Sequence, residues 1–275
     1  MMVTERKRKP GWQEKVAVIT GASSGIGAET AKKMAEEGLQ VVLVARREDR
    51  LAGLASEIRV AGGKADVVAG DLAQESQRKR IHDQVLADYA RADVLVNNAG
   101  FGWYGYYADM PWPTALEMIQ VNNAAVAHMT SLFLPEMRAR NAGHIINVSS
   151  IAGGIPSQGV ALYSATKSFL DAFTTALHRE MRGTKVHVSV VRPGPVRTGF
   201  FESAAKRLSG RRVPSERFGI SAQRVAERIW GLLQRPRRVA YIPRFLGIVP
   251  WIESSFGWLM DMLGPRLLGK RSGPA

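Results

Sequence analysis

The chain has 275 residues, 45% of them hydrophobic and 23% charged, which suits one soluble globular domain with a substantial core. It has no cysteine, which excludes disulfides and thiolate metal sites, and its five histidines (His82, His128, His144, His178, His187) never fall at His-x-x-x-His spacing, so no metal ligand is proposed. The net charge of +14 comes without any nucleic-acid motif and is read as solvated arginine rather than a nucleic-acid footprint.

Residues 1–13 read as a flexible arm whose cluster Arg6-Lys7-Arg8-Lys9 suits an anionic surface. The arm lacks the apolar core of a secretory signal, and a cytoplasmic protein is expected. Strands are expected at Val16–Thr20, Gln40–Ala45, Ala65–Ala69, Val94–Asn97, His144–Ser149, Lys185–Val191 and Val239–Ile242. Most are β-branched and apolar throughout, as strands covered on both faces should be. Helical periodicity fills the intervals at Gly27–Glu37, Arg50–Ala61, Glu75–Tyr89, Thr114–Arg140, Ala161–Met181 and Ala222–Gln234. This alternation predicts an α/β fold, a Rossmann-like doubly wound parallel sheet of about seven strands in one domain over residues 14–243. Residues 244–275 form an amphipathic extension.

Such a sheet binds ligands beyond the carboxyl ends of its strands, where strand order reverses. The stretch "TGASSGIG" (Thr20–Gly27) lies at such an end. Gly21 permits the turn, Gly25 lets a phosphate approach, and Gly27 lets the helix pack close to the sheet. Ser23, Ser24 and Ile26 complete the turn, whose amides and helix N-terminus suit a pyrophosphate. The spacing Gly-x-x-x-Gly-x-Gly departs from the Gly-x-Gly-x-x-Gly fingerprint, so corroboration comes from further along. "NNAG" (Asn97–Gly100) closes the fourth strand, "YSATK" (Tyr163–Lys167) opens a long helix, and "RPGPVRTG" (Arg192–Gly199) follows the sixth strand.

Together these four stretches resemble the motif set of the short-chain dehydrogenase/reductase family, from about Glu14 to Gly199 and more loosely to Ile242. The resemblance implies a nicotinamide dinucleotide on the glycine turn and a homodimer or homotetramer. Tyr163 and Lys167, four apart, share one helix face. An ammonium near the phenol stabilises the phenolate, so Tyr163 suits general acid–base work on a carbonyl or alcohol. The resemblance gives Lys167 hydrogen bonds to the nicotinamide ribose. It makes Ser150 the group that steadies the substrate oxygen, with Ser149 the competing choice on the opposite face of the strand. Asn122 resembles the asparagine that holds a relay water, with Asn123 structural. The family's usual glycine three residues later is Ala125 here.

Cofactor choice is read at the end of the second strand. An Asp or Glu there meets a free ribose 2′-hydroxyl; this chain has Arg46 and Arg47 instead, which suit a 2′-phosphate and hence NADP(H). Arg46 is the first choice and Arg47 the second. The basic residue that many NADP-dependent relatives carry in the glycine turn is Ser24 here. Asp71 and Leu72 resemble the pair that contacts the adenine, and Asn98 and Gly100 the positions lining its ribose; Asn97 and Asn98 serve equally well as ties between central strands. Val196 and Thr198 resemble the positions holding the carboxamide and pyrophosphate.

The substrate pocket is expected from Phe101–Tyr107, Ile151–Val160 and Phe200–Gly219, either as an apolar site or as ordinary core and lid packing. The loop Lys206–Arg217, with Lys206, Arg207, Arg211, Arg212 and Arg217, suits an acidic substrate or a solvated lid. In the extension, Ile252, Phe256, Leu259 and Leu263 make a helical stripe over Trp251–Leu263. Packing of this stripe on protein, within or between subunits, is expected over docking on a membrane surface. The reading is an NADP(H)-dependent oxidoreductase interconverting a carbonyl and a secondary alcohol on an apolar small molecule. A dinucleotide-binding regulator and a charge-driven membrane or nucleic-acid binder are the alternatives. The regulator should lack part of the set Asn122, Ser150, Tyr163 and Lys167, which is intact.

Overall fold

The computed structural model describes residues 11–198 and 219–267. Residues 1–10 of the basic arm, the loop with Lys206, Arg207, Arg211, Arg212 and Arg217, and the tail beyond Leu267 lie outside them. Seven parallel strands form one sheet. They are β1 (Val16–Thr20), β2 (Gln40–Ala45), β3 (Lys64–Ala69), β4 (Val94–Asn97), β5 (Gly143–Val148), β6 (Val186–Pro193) and, after the two-residue strands β7 (Val196–Arg197) and β8 (Ile220–Ser221), β9 (Val239–Ile242). Their order is β3-β2-β1-β4-β5-β6-β9, so the winding reverses between β1 and β4. All seven expected strands are present.

The helices are α1 (Gly25–Glu36), α2 (Glu48–Val60), α3 (Glu75–Tyr89), α4 (Trp112–Ile119), α5 (Ala125–Ala139), α6 (Ala161–Glu180), α7 (Ala222–Gln234) and α8 (Val249–Leu267). Side-chain alternation along β1 assigns the two layers. Ala17 and Ile19 join the core that includes Met34 of α1, Leu51 of α2 and Ile229 of α7. Val16 and Val18 join Ile81 of α3, Phe133 of α5 and Leu177 of α6. Both faces are thus covered, which is why the strands are apolar without alternation.

Two expectations are corrected. The helix expected over Thr114–Arg140 starts at Trp112 and is broken by a π turn, Gln120–Ala124, between α4 and α5. Such one-turn insertions collect at functional sites, and Asn122 sits in it fully buried. The second correction concerns the extension, where a 3-10 turn (Arg244–Ile248) leads into α8 and Phe256 departs from helical geometry. Ile252, Phe256 and Leu259 are 37% to 54% exposed, so among the described residues this stripe is not buried against the domain. The less exposed positions of this segment are instead Glu253 and Gly257, one turn apart. The Leu263 side chain lies outside the described ones.

One core polar group carries a prediction. His144 of β5 is buried, with Nε2 2.8 Å from Ser189 Oγ, and that hydroxyl donates to the Arg237 carbonyl at 2.6 Å. Burial, then the neighbouring His187 and His178, pull its pKa from 6.5 to about 3. The folded value lies below the unfolded one, so the unfolded chain binds this proton first. The contribution is therefore complete above the unfolded value and disappears as pH falls toward the folded one. At a pH two units below the unfolded value the loss is about 3 kcal/mol. Urea midpoints for the parent and His144→Gln should converge as pH falls from neutral; an unchanged gap between them would reject the assignment.

Candidate active site

The glycine turn is tied to the switch point by hydrogen bonds. Thr20 Oγ1 accepts from the Asn98 and Ala99 amides at 2.9 and 3.0 Å and donates to the Val96 carbonyl. Asn98 Nδ2 donates to the Thr20 carbonyl at 3.0 Å and to that of Gly21 at 3.3 Å. Gly21 and Gly25 have φ of +66° and +59°, which side chains adopt at a cost. A Cβ on Gly27 would stand 2.4 Å from the Gly21 carbonyl oxygen, so helix and turn touch backbone to backbone. Ser24 opens α1 without a side-chain cap, leaving the first amides of the helix able to bind an anion.

The residues around this turn divide clearly. Arg47 Nη2 donates to Ser23 Oγ at 2.8 Å and Ser24 Oγ at 3.2 Å, so it lies on the turn. Arg46 pairs with Glu117 at 3.1 Å on the surface. An exposed pair of this kind contributes about 1 kcal/mol or less and is readily exchanged. Thr198 lies over the turn, its Cγ2 3.1 Å from where a Gly25 Cβ would be. Ile26 packs partly against the core. Asp71 Oδ1 accepts from the Ala73 amide at 3.0 Å, a local turn that fixes the loop after β3.

Two residues expected at the cofactor have buried side chains, which leaves their backbone to face the groove. Leu72 is buried in the core, and its carbonyl accepts from Arg78. Val196 is buried as well, on the other face of the sheet. Both are apolar residues at strand exits, where the core outcompetes the groove for the side chain. Asn97 ties β4 to β5 through Asn147 Oδ1 at 2.9 Å, and Asn98 ties β4 to the turn.

On the other side of the switch point, α6 presents Tyr163 and Lys167 on one face, with Nζ 5.7 Å from the phenol ring centroid. Ser150, in the loop after β5, hydrogen-bonds Tyr163 and accepts from the Ala152 amide at 3.1 Å, opening a 3-10 turn (Ile151–Gly153). Ser149 instead donates to the Lys167 carbonyl at 3.1 Å, buried behind the helix. Strand alternation thus sends the two serines apart, and Ser150 is the one beside the phenol. Lys167 Nζ donates to the Val148 carbonyl at 3.0 Å.

Asn122 Nδ2 donates to the Phe101 carbonyl and to Thr166 Oγ1, and Oδ1 accepts from the Phe101 amide. Both amide hydrogens are used; one lone pair of Oδ1 remains. Gly100 lies between Asn122 and Lys167, since a Cβ there would stand 3.0 Å from Oδ1 and 3.6 Å from Nζ. Asn123 donates to the Thr166 carbonyl and is structural, as expected.

Burial pushes the Tyr163 phenol up to about 12, opposed by the Ser150 hydrogen bond. Burial pulls the Lys167 ammonium down to about 8, opposed by Asp171. Desolvation, which disfavours both charged forms, dominates both shifts.

The family model for short chain dehydrogenases matches residues 15–209, which spans the glycine turn, Ser150, Tyr163 and Lys167. The chain belongs to the short-chain dehydrogenase family. An uncharacterized oxidoreductase of Staphylococcus epidermidis is 34% identical over 230 residues, covering 82% of this chain and 94% of that one. The short-chain dehydrogenase of Sphingobium yanoikuyae in complex with NADPH superposes with a TM-score of 0.78 at 25% identity, over 95% of this chain and 98% of that one. A short-chain dehydrogenase/reductase of Burkholderia phymatum in complex with NAD gives 0.83 at 27% identity, over 90% and 95%. This short-chain dehydrogenase is accordingly an oxidoreductase with a nucleotide-binding Rossmann fold.

Sequence reasoning missed an ion pair behind α6. Asp171 Oδ1 is 2.9 Å from Arg192 Nε, and Arg192 also hydrogen-bonds the Tyr241 hydroxyl and lies over its ring. A Cβ on Gly153 would stand 2.7 Å from Asp171 Oδ2, so the segment after Ser150 packs directly on this carboxylate. The signal was available: Tyr163, Lys167 and Asp171 recur every four residues on one face.

Proposed function

We propose that this short-chain dehydrogenase interconverts a carbonyl and a secondary alcohol on an apolar substrate, with NADP(H) as its cofactor. The observation that carries this reading is Ser150, Tyr163 and Lys167 converging across the switch point from an uncapped, glycine-lined helix N-terminus. The nicotinamide, when bound, supplies or accepts the hydride. Tyr163 donates its proton to the carbonyl oxygen in reduction and takes it back in oxidation. Ser150 steadies the same oxygen. Lys167 holds the ribose and supplies positive charge beside the phenol, and the remaining lone pair of Asn122 Oδ1 holds a relay water.

Trp103, Tyr107, Met110, Met118, Val160 and Leu162 line a recess of about 10 Å³ beside Tyr163; it is too small to hold a substrate, and the apolar substrate is proposed from the character of these side chains alone. Trp103 itself is buried, so part of the aromatic run is core. Arg46 and Arg47 at the mouth of the turn favour a 2′-phosphate, Arg46 by releasing Glu117. A charged hydrogen bond contributes about 1.5–3 kcal/mol, or about one to two powers of ten in affinity. Arg46→Ala should therefore weaken NADPH binding by about that factor and leave NADH binding nearly unchanged, read by fluorescence titration. Equal losses for both cofactors would reject the assignment. A screen of apolar ketones and secondary alcohols following NADPH absorbance tests the activity; consistent failure to turn over any of them would count against it.

A further inference from the structure

The C-terminal extension carries its apolar side outward. Trp251 is 74% exposed and Phe245 71%, and Ile248, Phe256, Trp258 and Met262 are exposed with them. The less exposed positions between Trp251 and Leu259 are Glu253 and Gly257, neither of them apolar and bulky. A helix stabilised by its own domain would be turned the other way round. An apolar surface of this extent, open to water, marks a docking site.

The charge around it indicates what docks. Arg244 opens the 3-10 turn that leads into α8. The Arg228 guanidinium is held below its usual value by burial and by the neighbouring charges of Arg244 and Arg237. Arg244 stands at the start of the apolar segment within reach of the Arg228 charge, whereas Arg237 precedes β9 and lies at its other end. Arg266, Lys270 and Arg271 follow the segment in the sequence, and the chain as a whole carries +14. A second copy would bring the same net positive charge against it, which opposes self-association. An anionic surface meets both the apolar side and the arginines.

We propose that the segment from Arg244 to Met262 docks this short-chain dehydrogenase on an anionic lipid bilayer, its apolar side in the interface and Arg244 on the headgroups. Among the described residues no helix is long and apolar enough to cross a membrane, so the segment lies along the surface. Two tryptophans on the outward side suit the depth at which aromatic rings settle. The docked segment adjoins the active site. Pro250 Cγ lies 3.2 Å from where a Gly154 Cβ would be, just past the turn that Ser150 opens, and Leu246 Cδ1 is 2.8 Å from the equivalent point on Gly194. Docking therefore places the reaction centre near the lipid.

The test is sedimentation of the full chain with phosphatidylcholine vesicles, either alone or containing one third phosphatidylglycerol. The protein should pellet with the anionic vesicles and be released by salt. Arg244→Ala should weaken binding about fivefold. Trp251→Ser/Trp258→Ser should weaken it more than tenfold, with the melting temperature unchanged because both rings are exposed. Failure of the parent to pellet, or equal pelleting of the tryptophan variant, would overturn the proposal. So would a tryptophan variant that changes a lipid-free dimer into a monomer by light scattering, since that makes a second copy the occupant.

Discussion

Tyr163→Phe is expected to lower kcat by about two to four powers of ten while leaving cofactor affinity within about twofold. The ring stays, so the packing of α6 is preserved; only the hydroxyl that hydrogen-bonds Ser150 is lost. The phenol is the protonated group nearest the recess, and its pKa of about 12 means that the proton is fully present at neutral pH. Water cannot replace it cheaply in a site buried enough to move Tyr163 and Lys167 in opposite directions. Rate loss should therefore fall on kcat, with the Kd for NADPH from titration unchanged. A variant that keeps a tenth of parental kcat on the same substrate would remove Tyr163 from the role of proton donor.

Much of this site was legible because its parts are local. A glycine turn, a Tyr-x-x-x-Lys face and an Asn-Asn strand exit each depend on residues a few positions apart, and strand alternation separated Ser149 from Ser150 before any coordinates. The sheet was legible for a similar reason, since strands buried on both faces leave continuous apolar runs. The π turn at Gln120–Ala124 was not, because one inserted residue shifts a helical stripe too little for periodicity to register. Leu72 and Val196 resemble cofactor positions, but a motif does not say whether a side chain or only the backbone faces the ligand. The stripe of α8 was visible as a stripe; which way it faced depended on the fold.

The pair of Asp171 and Arg192 was the least legible feature, because its two charges lie on α6 and β6 and meet only when the sheet is built. Its removal should have the largest effect on stability. Asp171 is buried, with burial raising its pKa and Arg192 opposing that rise. Asp171→Asn leaves the partly buried Arg192 guanidinium with Tyr241 as its remaining partner, which costs about 1–3 kcal/mol. For a chain of this size that lowers Tm by about 2–12 °C. Asp171→Leu/Arg192→Met removes both charges and should recover most of the loss, because the desolvation penalty disappears with them.

The same two variants separate stability from chemistry. Asp171 is the group that holds the Lys167 ammonium up against burial, so without it the lysine pKa falls below about 8. In the proposed mechanism Lys167 acts in its charged form, so activity should decline as pH rises through its pKa. The alkaline limb of kcat/KM, which reports the free enzyme, should therefore move to lower pH in both variants, including the double variant whose stability has returned. A double variant with recovered Tm and the parental pH profile would show that Asp171 supports the fold alone and leaves the lysine untouched.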